Sequence, residues 1–380
     1  MNFIRNICCL LLIFFIFDAQ ANRSVKLAIF DNPQVDSSNA LISQQLQNSY
    51  MQGINIGLHD AKKQKIDIQY KVFFYGDNLL NIIQEAPNVT SWNPDIIMGL
   101  HSSNESLMSR TFFTDRQVLS ISATDIQLAN LPLNFYSLGV PDPYAAKAII
   151  KFIKEHYPGH NLFIAVGAES KESVDLGNLL ASDYQHAFPK NTVIISKFLS
   201  SETSSIDLPD FMNGYKTGDL IVTLSIAGTY DEQINLMNQI ANYLAPNKLI
   251  FINDVDNWGT NVLPSSYNNT VNSYTAYRLD TLFFDKKSVS YKNFSNSFKS
   301  IYHTSPTDKI SFLTYQTIMS FVAALKKYPP PNNLTTIEAI LWSYAEARKY
   351  NPNWFRPMEF AFYKMEPYQE TLYEKVLPSE

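Results

Sequence analysis

Residues 25–30 read Val-Lys-Leu-Ala-Ile-Phe and are followed by Asp31-Asn32-Pro33, a combination typical of a buried strand that ends in a turn. Beyond the turn, apolar residues recur at helical spacing, at Ile42, Leu46, Tyr50, Ile54 and Leu58. The pattern predicts a β-strand, a turn and an amphipathic helix. Because Gly53 and Gly57 lie on one face of this helix, we expect it to pack closely against a sheet.

The same alternation of strand and helix continues along the chain. Strands are predicted at 68–74, 95–100, 117–122, 161–167, 191–199, 219–224 and 248–253, and helices at 78–86, 103–112, 142–156, 172–187 and 229–244. Near-continuous apolar strands separated by helices are typical of a parallel sheet covered on both faces. The alternation restarts after Phe135–Pro141, which predicts a second α/β unit.

The C-terminal part is more mixed, and we expect the two units to share it. It contains a predicted strand at 273–279, helices at 291–303, 311–327 and 335–348, and a short apolar segment at 360–363. The predicted organisation is a signal peptide at 1–21, a first lobe at 22–140 plus 277–327, and a second lobe at 141–276 plus 328–380.

Composition excludes several classes of protein. A hydrophobic fraction of 46% with a charged fraction of 17% allows a large core and excludes a disordered chain. A net charge of −5, without a sustained run of Lys and Arg, excludes a nucleic-acid partner held by phosphate neutralisation. Only 12 Gly against 25 Phe and 22 Tyr favours a packed α/β interior over an all-β protein rich in tight turns.

The first residues predict export. Arg5 precedes an apolar run at 7–17, and Ala19-Gln20-Ala21 supplies small residues for cleavage after Ala21, as in a secretory signal peptide. The alternative, a membrane anchor, is disfavoured because this run is too short to cross about 30 Å of hydrocarbon. Cys8 and Cys9 both lie in this segment, so the mature chain would have no thiol. No stable membrane insertion is expected of the mature chain.

Catalytic and metal-binding motifs are scarce. His156 and His160 are four residues apart, but Pro158 and Gly159 between them break the helix that a zinc motif would need. There is also no Gly-x-Ser-x-Gly motif and no Gly-rich loop that opens a helix. We therefore predict no metal, no cofactor and no catalytic residue, although the sequence would not reveal a carboxylate pair assembled by the fold.

Polar residues follow two of the predicted strands, 95–100 and 117–122. In an open parallel sheet, ligands bind beyond the carboxyl ends of the strands, where helix N-termini leave unpaired N–H groups. The candidates for ligand contact are Ser102, Ser103, Ser122, Ala123 and Thr124. For Ser103 and Asp125, helix capping is the favoured alternative.

Several segments between residues 25 and 327 together carry a family resemblance. They are Val25–Phe30, Gly53–Gly57, Pro94–Gly99 with Ser102-Ser103, Ile121–Thr124, Phe135–Asp142, and Thr314–Gln316 with Ala323–Leu325. In their order and spacing, the chain resembles periplasmic solute-binding proteins of the Leu/Ile/Val-binding group, the receptors of branched-chain amino-acid ABC importers. The resemblance implies a class I periplasmic-binding fold: two doubly wound parallel-sheet lobes joined by three crossovers and closing over a small ligand.

The resemblance also implies roles for single residues. Ser102 falls where such proteins hold the ligand carboxylate, and Ala123 and Thr124 fall where backbone and hydroxyl groups complete that grip. In the second lobe the family often places Tyr-Gly at the start of the helix after strand 161–167. This chain has Glu169–Val174 there, so Ser173 becomes the candidate.

Two further candidates follow strand 248–253. Asp254 falls near the acid that pairs with the ligand's ammonium group, and Trp258 would form an apolar wall of the cleft, with packing under its own loop as an equal alternative. Lys171 would suit an anionic ligand, or it would be an exposed lysine. The missing Tyr-Gly, and a first loop at 31–39 without the family's usual glycine, leave the amino-acid ligand open.

The resulting hypothesis is a non-catalytic receptor that captures a small polar ligand, an amino acid or an amide-like metabolite, and presents it to an inner-membrane ABC permease. Ligand binding would shift an open-to-closed equilibrium. The alternatives are a sensory protein of the same fold that signals to a membrane kinase or another partner, and an exported enzyme that uses the cleft.

Overall fold

The structure is a computed structural model of the chain. It describes residues 24–31, 40–76, 80–100, 102–121, 123–125, 134–199, 206–213, 220–225, 230–244, 249–253, 274–281, 283–306, 308–350, 359–366 and 369–377.

A first sheet is formed mainly by the N-terminal part of the chain, and all of its strand pairs are parallel. Its order is β2-β1-β3-β4-β5. The strands are β1 (Ser24–Asp31), β2 (Asp67–Phe74), β3 (Ile96–Gly99), β4 (Gln117–Ser120) and β5 (Phe135–Ser137).

A second sheet has the order β12-β11-β10-β9-β8-β6-β7. The strands are β6 (Asn161–Gly167), β7 (Val193–Phe198), β8 (Leu220–Ser225), β9 (Leu249–Asn253), β10 (Tyr274–Asp280), β11 (Phe360–Glu366) and β12 (Gln369–Val376). Strands β6 to β10 pair in parallel, whereas β11 and β12 are antiparallel at one edge. Only residues 367 and 368 separate β11 from β12, and so short a link suffices between strands that reverse direction, whereas a parallel pair needs a long crossover.

Helices cover both faces of each sheet. They are α1 (Ala40–Lys63), α2 (Leu80–Trp92), α3 (Ser103–Ser109), α4 (Asp142–His156), α5 (Lys171–Ala187), α6 (Leu208–Phe211), α7 (Tyr230–Tyr243), α8 (Val289–Tyr302), α9 (Lys309–Lys327) and α10 (Thr336–Tyr350). Between its described elements, the chain passes from one sheet to the other three times, from β5 to α4, from β10 to α8 and from α10 to β11.

Alternation along the central strands places a core on each face of each sheet. In β1, the side chains of Val25, Leu27 and Ile29 join a core with α1, α8, α9 and α10, whereas Ala28 and Phe30 join a second core with α2. Successive side chains of a strand point to opposite faces, so a fully apolar strand fills two cores. The predicted parallel sheets covered on both faces are therefore confirmed.

The second sheet follows the same rule. Leu162, Ile164 and Val166 of β6 pack with α4 and α5, and Phe163 and Ala165 pack on the other face with α6 and α7. In the C-terminal part, β10 hydrogen-bonds to β9, and α10 packs on the core of the first sheet. The division into lobes at residues 140, 276 and 327 stays a prediction.

Two expectations about helices differ from the structure. Gly53 and Gly57 face helix α9 rather than a sheet. The contact is so close that a Cβ atom at Gly53 would lie 2.4 Å from the Ser311 carbonyl oxygen. Helix α2 continues through Pro87 to Trp92, beyond its predicted end at 86. Proline cannot donate a backbone hydrogen bond inside the helix, and the burial of Val89 against the sheet offsets this loss.

Candidate functional site

The carboxyl ends of β3 and β4 meet at the start of α3, as the sequence predicts. Gly99 ends β3 at φ 129°, and a Cβ atom there would lie 2.1 Å from the Phe30 carbonyl oxygen, so only glycine fits. The next carbonyl, of Leu100, accepts hydrogen bonds from the hydroxyls of Ser106 (3.1 Å) and Ser120 (2.7 Å). These bonds fasten the loop after β3 to α3 and to β4.

Ser102 is exposed and caps α3. Its Oγ accepts from the Glu105 N–H at 3.2 Å, and its own N–H donates to Glu105 Oε2 at 2.8 Å, which completes a capping box. Capping accounts for its position beside the strand end. Its contact with a ligand stays a prediction.

Ser103 is fully buried and makes three hydrogen bonds. Its Oγ accepts from the backbone N–H groups of Thr124 (3.0 Å) and Asp125 (3.1 Å) and donates to Glu172 Oε1 at 2.7 Å. A hydroxyl has two acceptor lone pairs and one donor, so all the capacity of this group is used. Ser103 thus ties the loop after β4 to α3 and then reaches an acid on the other half of the molecule.

Thr124 meets the same carboxylate oxygen. Its Oγ1 donates to Glu172 Oε1 at 2.7 Å, and its carbonyl oxygen accepts from the Asp142 N–H at 2.9 Å. The backbone N–H of Ala123, which is buried, donates to Ser120 Oγ at 3.1 Å. The structure therefore brings Ser103 and Thr124 together on one partner, while the Ala123 N–H serves the loop itself.

Glu172 belongs to the first turn of α5, which follows β6 in the second sheet. Burial raises the pKa of its carboxyl above the ordinary value of 4.5, the hydrogen bonds from Thr124 and Ser103 lower it, and the negative charge of Asp125 raises it. The net direction is upward, so this acid holds its proton more tightly than an exposed glutamate does.

Ser173, the neighbouring candidate, is buried in the first turn of α5. Its Oγ accepts from the Gly167 N–H at 3.0 Å, and its N–H donates to Ser170 Oγ at 3.2 Å. Ser170 is the N-cap of α5. The Ser173 hydroxyl therefore closes the turn, and a ligand contact for it stays a prediction. Ser122, Asp254 and Trp258 lie outside the described residues.

Other acids surround this part of the first sheet. Burial raises the pKa of Tyr50 well above 10, and the charge and hydrogen bond of Asp31, which is buried at the end of β1, raise it further. Glu105 also contributes to that shift. The exposed Lys171 forms an ion pair with Asp175 on its own helix.

Glu172 is not among the site residues predicted from the sequence. It lies in the quoted stretch 169–174, but it reads as an ordinary acid in the first turn of a helix, where the macrodipole favours negative charge. Its two partners are 69 and 48 residues away along the chain, and nothing local points to them.

Two other features of the described residues lie apart from this cluster. A mostly apolar cavity of about 310 Å³, lined in part by Phe113, Val118 and Phe135, contains none of the candidate residues. Glu155, His156 and Glu374 bring three groups that could ligate a metal close together, and the His156 Nε2 and Glu374 Oε2 atoms are 2.6 Å apart. All three lie at least partly in solvent, and the hydrogen bond between His156 and Glu374 accounts for the contact.

No family model matches the chain, and no curated protein matches its sequence. Solved structures do match it. A leucine-binding protein from Thermotoga maritima has a TM-score of 0.69 at 13% identity over 93% of this chain and 99% of its own. The chain has the fold of such binding proteins.

Two further solved structures agree with this fold. A branched-chain amino-acid transporter substrate-binding protein from Streptococcus pneumoniae, in complex with isoleucine, has a TM-score of 0.63 at 12% identity, covering 93% of this chain and 100% of its own. A leucine-, isoleucine-, valine-, threonine- and alanine-binding protein from Brucella ovis, in a closed conformation, has a TM-score of 0.65 at 9% identity, covering 94% and 96%. The resemblance predicted from the sequence is thus confirmed for the fold over nearly the whole chain.

Proposed function

We propose that the protein is an exported, non-catalytic receptor that holds a small polar ligand between its two halves and presents it to an ABC permease in the inner membrane. The observation that carries this proposal is the convergence of Ser103 and Thr124, from the strand ends of the first sheet, on Glu172 at the start of α5 in the second. In open α/β sheets, the carboxyl ends of the strands are where ligands bind.

The fold likeness supports this function, since the similar proteins are substrate-binding components of ABC transporters. The predicted signal peptide supports a periplasmic location, with cleavage after Ala21. Among the described residues, no helix is long and apolar enough to cross a membrane. The proposed lobes are those predicted from the sequence, and Ser102, Ser122, Ala123, Asp254 and Trp258 are proposed to border the cleft between them.

The proposal is tested with the exported form of the whole chain. Small molecules that remain bound through purification are identified by mass spectrometry, and each is then added back in a thermal unfolding assay beside a panel of amino acids, amides, amines and other small metabolites. A ligand that binds only the folded protein adds about 2.7 kcal/mol to the free energy of unfolding at a concentration of 100 times its Kd.

A saturable rise in the unfolding midpoint with at least one compound is the expected result. If no retained and no added compound raises the midpoint, the receptor function is wrong, while the fold is unaffected.

A further inference from the structure

The hydroxyls of Ser103 and Thr124 are directed at a single acceptor. Both lone pairs of Ser103 Oγ are taken by the backbone N–H groups of Thr124 and Asp125, so its proton can only be donated outward. Thr124 Oγ1 donates to the same point, and each hydroxyl oxygen lies 2.7 Å from Glu172 Oε1. Two hydroxyl donors that converge on one oxygen form a binding site for a carboxylate, which we call the carboxylate seat. In this chain the carboxylate of Glu172 occupies it.

The charges around this seat disfavour a second acid. The negative charge of Asp125 acts on Glu172, and Glu105 lies in the first turn of α3, two residues after Ser103. The nearby cation on α5, Lys171, is paired with Asp175. A ligand carboxylate placed here would lose its hydrating water and lie close to other negative charges. Bringing like charges together in such a site costs several kcal/mol of binding free energy.

We propose that Glu172 determines the specificity of the cleft by filling the carboxylate seat formed by Ser103 and Thr124, so that the ligand is a neutral or cationic amine or amide rather than a carboxylate. This inference rests on the proposed function, because it names the chemical class of the ligand. It departs from the expectation that an amino acid's carboxylate is held beside these residues.

The first experiment needs no knowledge of the ligand. Glu172→Ala removes the internal carboxylate and leaves the two hydroxyls facing a space of matching size. Acetate at millimolar concentration is expected to raise the unfolding midpoint of Glu172→Ala saturably, and to leave the wild type unchanged. In Glu172→Gln the amide oxygen still accepts hydrogen bonds from both hydroxyls, so acetate should not raise the unfolding midpoint of this variant. Asp183→Ala removes an acid at the other end of the same helix and is the matched control.

The second experiment measures the ligand class by calorimetry. Leucine and leucinamide share one skeleton and differ at the carboxylate, and we expect the wild type to prefer leucinamide by about a hundredfold or more. In Glu172→Ala the preference should reverse or vanish, because the seat is open to the ligand's own carboxylate.

Two outcomes overturn the inference: a wild type that binds leucine as tightly as leucinamide, or a Glu172→Ala variant that responds to acetate no more than Asp183→Ala does. Failure of the receptor function looks different. In that case no compound binds any form of the protein except acetate in Glu172→Ala.

Discussion

At the scale of single residues, three serines in similar sequence positions have different roles. Ser102 and Ser173 each satisfy groups of their own turn, which is the commonest use of serine beside a helix. Ser103 also binds its neighbours, but its remaining proton points across the molecule to Glu172. The position of the two residues in the sequence favours capping for Ser103 and ligand contact for Ser102. The structure places Ser103 in the cluster that joins the two halves, and ligand contact for either serine stays a prediction.

We predict that Ser103→Ala lowers the free energy of unfolding by about 2 kcal/mol or more. The substitution removes the acceptor of two backbone N–H groups, those of Thr124 and Asp125, and leaving a buried group unsatisfied costs about 1–3 kcal/mol. Urea unfolding followed by circular dichroism measures the change. Ser91→Ala, an exposed hydroxyl on α2, is the control and should stay within about 0.5 kcal/mol of the wild type. Equal losses in the two variants would contradict this role of Ser103.

At the scale of elements, α1 packs closely on α9 at the two glycines that were expected to face a sheet. Gly53 lies against the backbone and side chains of α9, at Ser311 and Thr314, and Gly57 lies against Ile318. Asp60 of α1 continues the contact by accepting from Ser297 of α8 and Tyr315 of α9. The two glycines remove side-chain bulk where the helix backbones approach, and the buried acid ties three helices together.

We predict that Gly53→Ala destabilises the protein by about 1–3 kcal/mol, although alanine is the better helix former. The new Cβ would lie 2.4 Å from a backbone oxygen of α9, and backbone cannot move aside as a side-chain tip can. Thermal unfolding of Gly53→Ala and Gly57→Ala tests this. The second variant should lose less, because the Ile318 side chain can shift. Gln47→Ala, at an exposed position of α1, is the control, and a stabilised Gly53→Ala would contradict the close contact.

At the scale of the whole molecule, two sheets with separate cores are joined by three passages of the chain and by the polar cluster at Glu172. Each half buries its apolar strands by itself. The contact between Glu172 and the strand ends of the first sheet is polar and consists of two hydrogen bonds from hydroxyls. A contact of this kind can be broken without opening either core, as the proposed receptor function requires.

We predict that this contact makes the wild type more stable, relative to Glu172→Gln, in mild acid than at neutral pH. The pKa of Glu172 is raised in the folded state, so its contribution is fully present below 4.5 and is lost as the pH rises through the folded-state pKa. Each unit of difference between the folded and unfolded pKa is worth about 1.4 kcal/mol. Urea unfolding of both proteins across this range measures the effect. A difference that grows with rising pH would show that the pKa of this acid is lowered instead.

Local patterns in the sequence were enough to predict most elements and the general fold. The predicted bounds of α4, 142–156, and of β6, 161–167, agree with the structure, because the spacing of apolar residues and the turn residues at the ends depend on neighbours only. Strands β5 and β12 were not predicted. A three-residue strand has too few positions to show a period, and the exposed outer strand of a sheet carries no apolar run.

The sequence by itself determined that strands and helices alternate, that central strands such as β1 and β6 are buried on both faces, and that polar residues follow β3 and β4. Only the tertiary structure decided that Ser103 and Thr124 converge on Glu172, that Gly53 faces α9, and that β11 and β12 close the second sheet in the antiparallel direction. The physical reason is distance along the chain. Periodicity and capping are set within a few residues, whereas a hydrogen bond between groups 69 residues apart exists only after two sheets have formed and met.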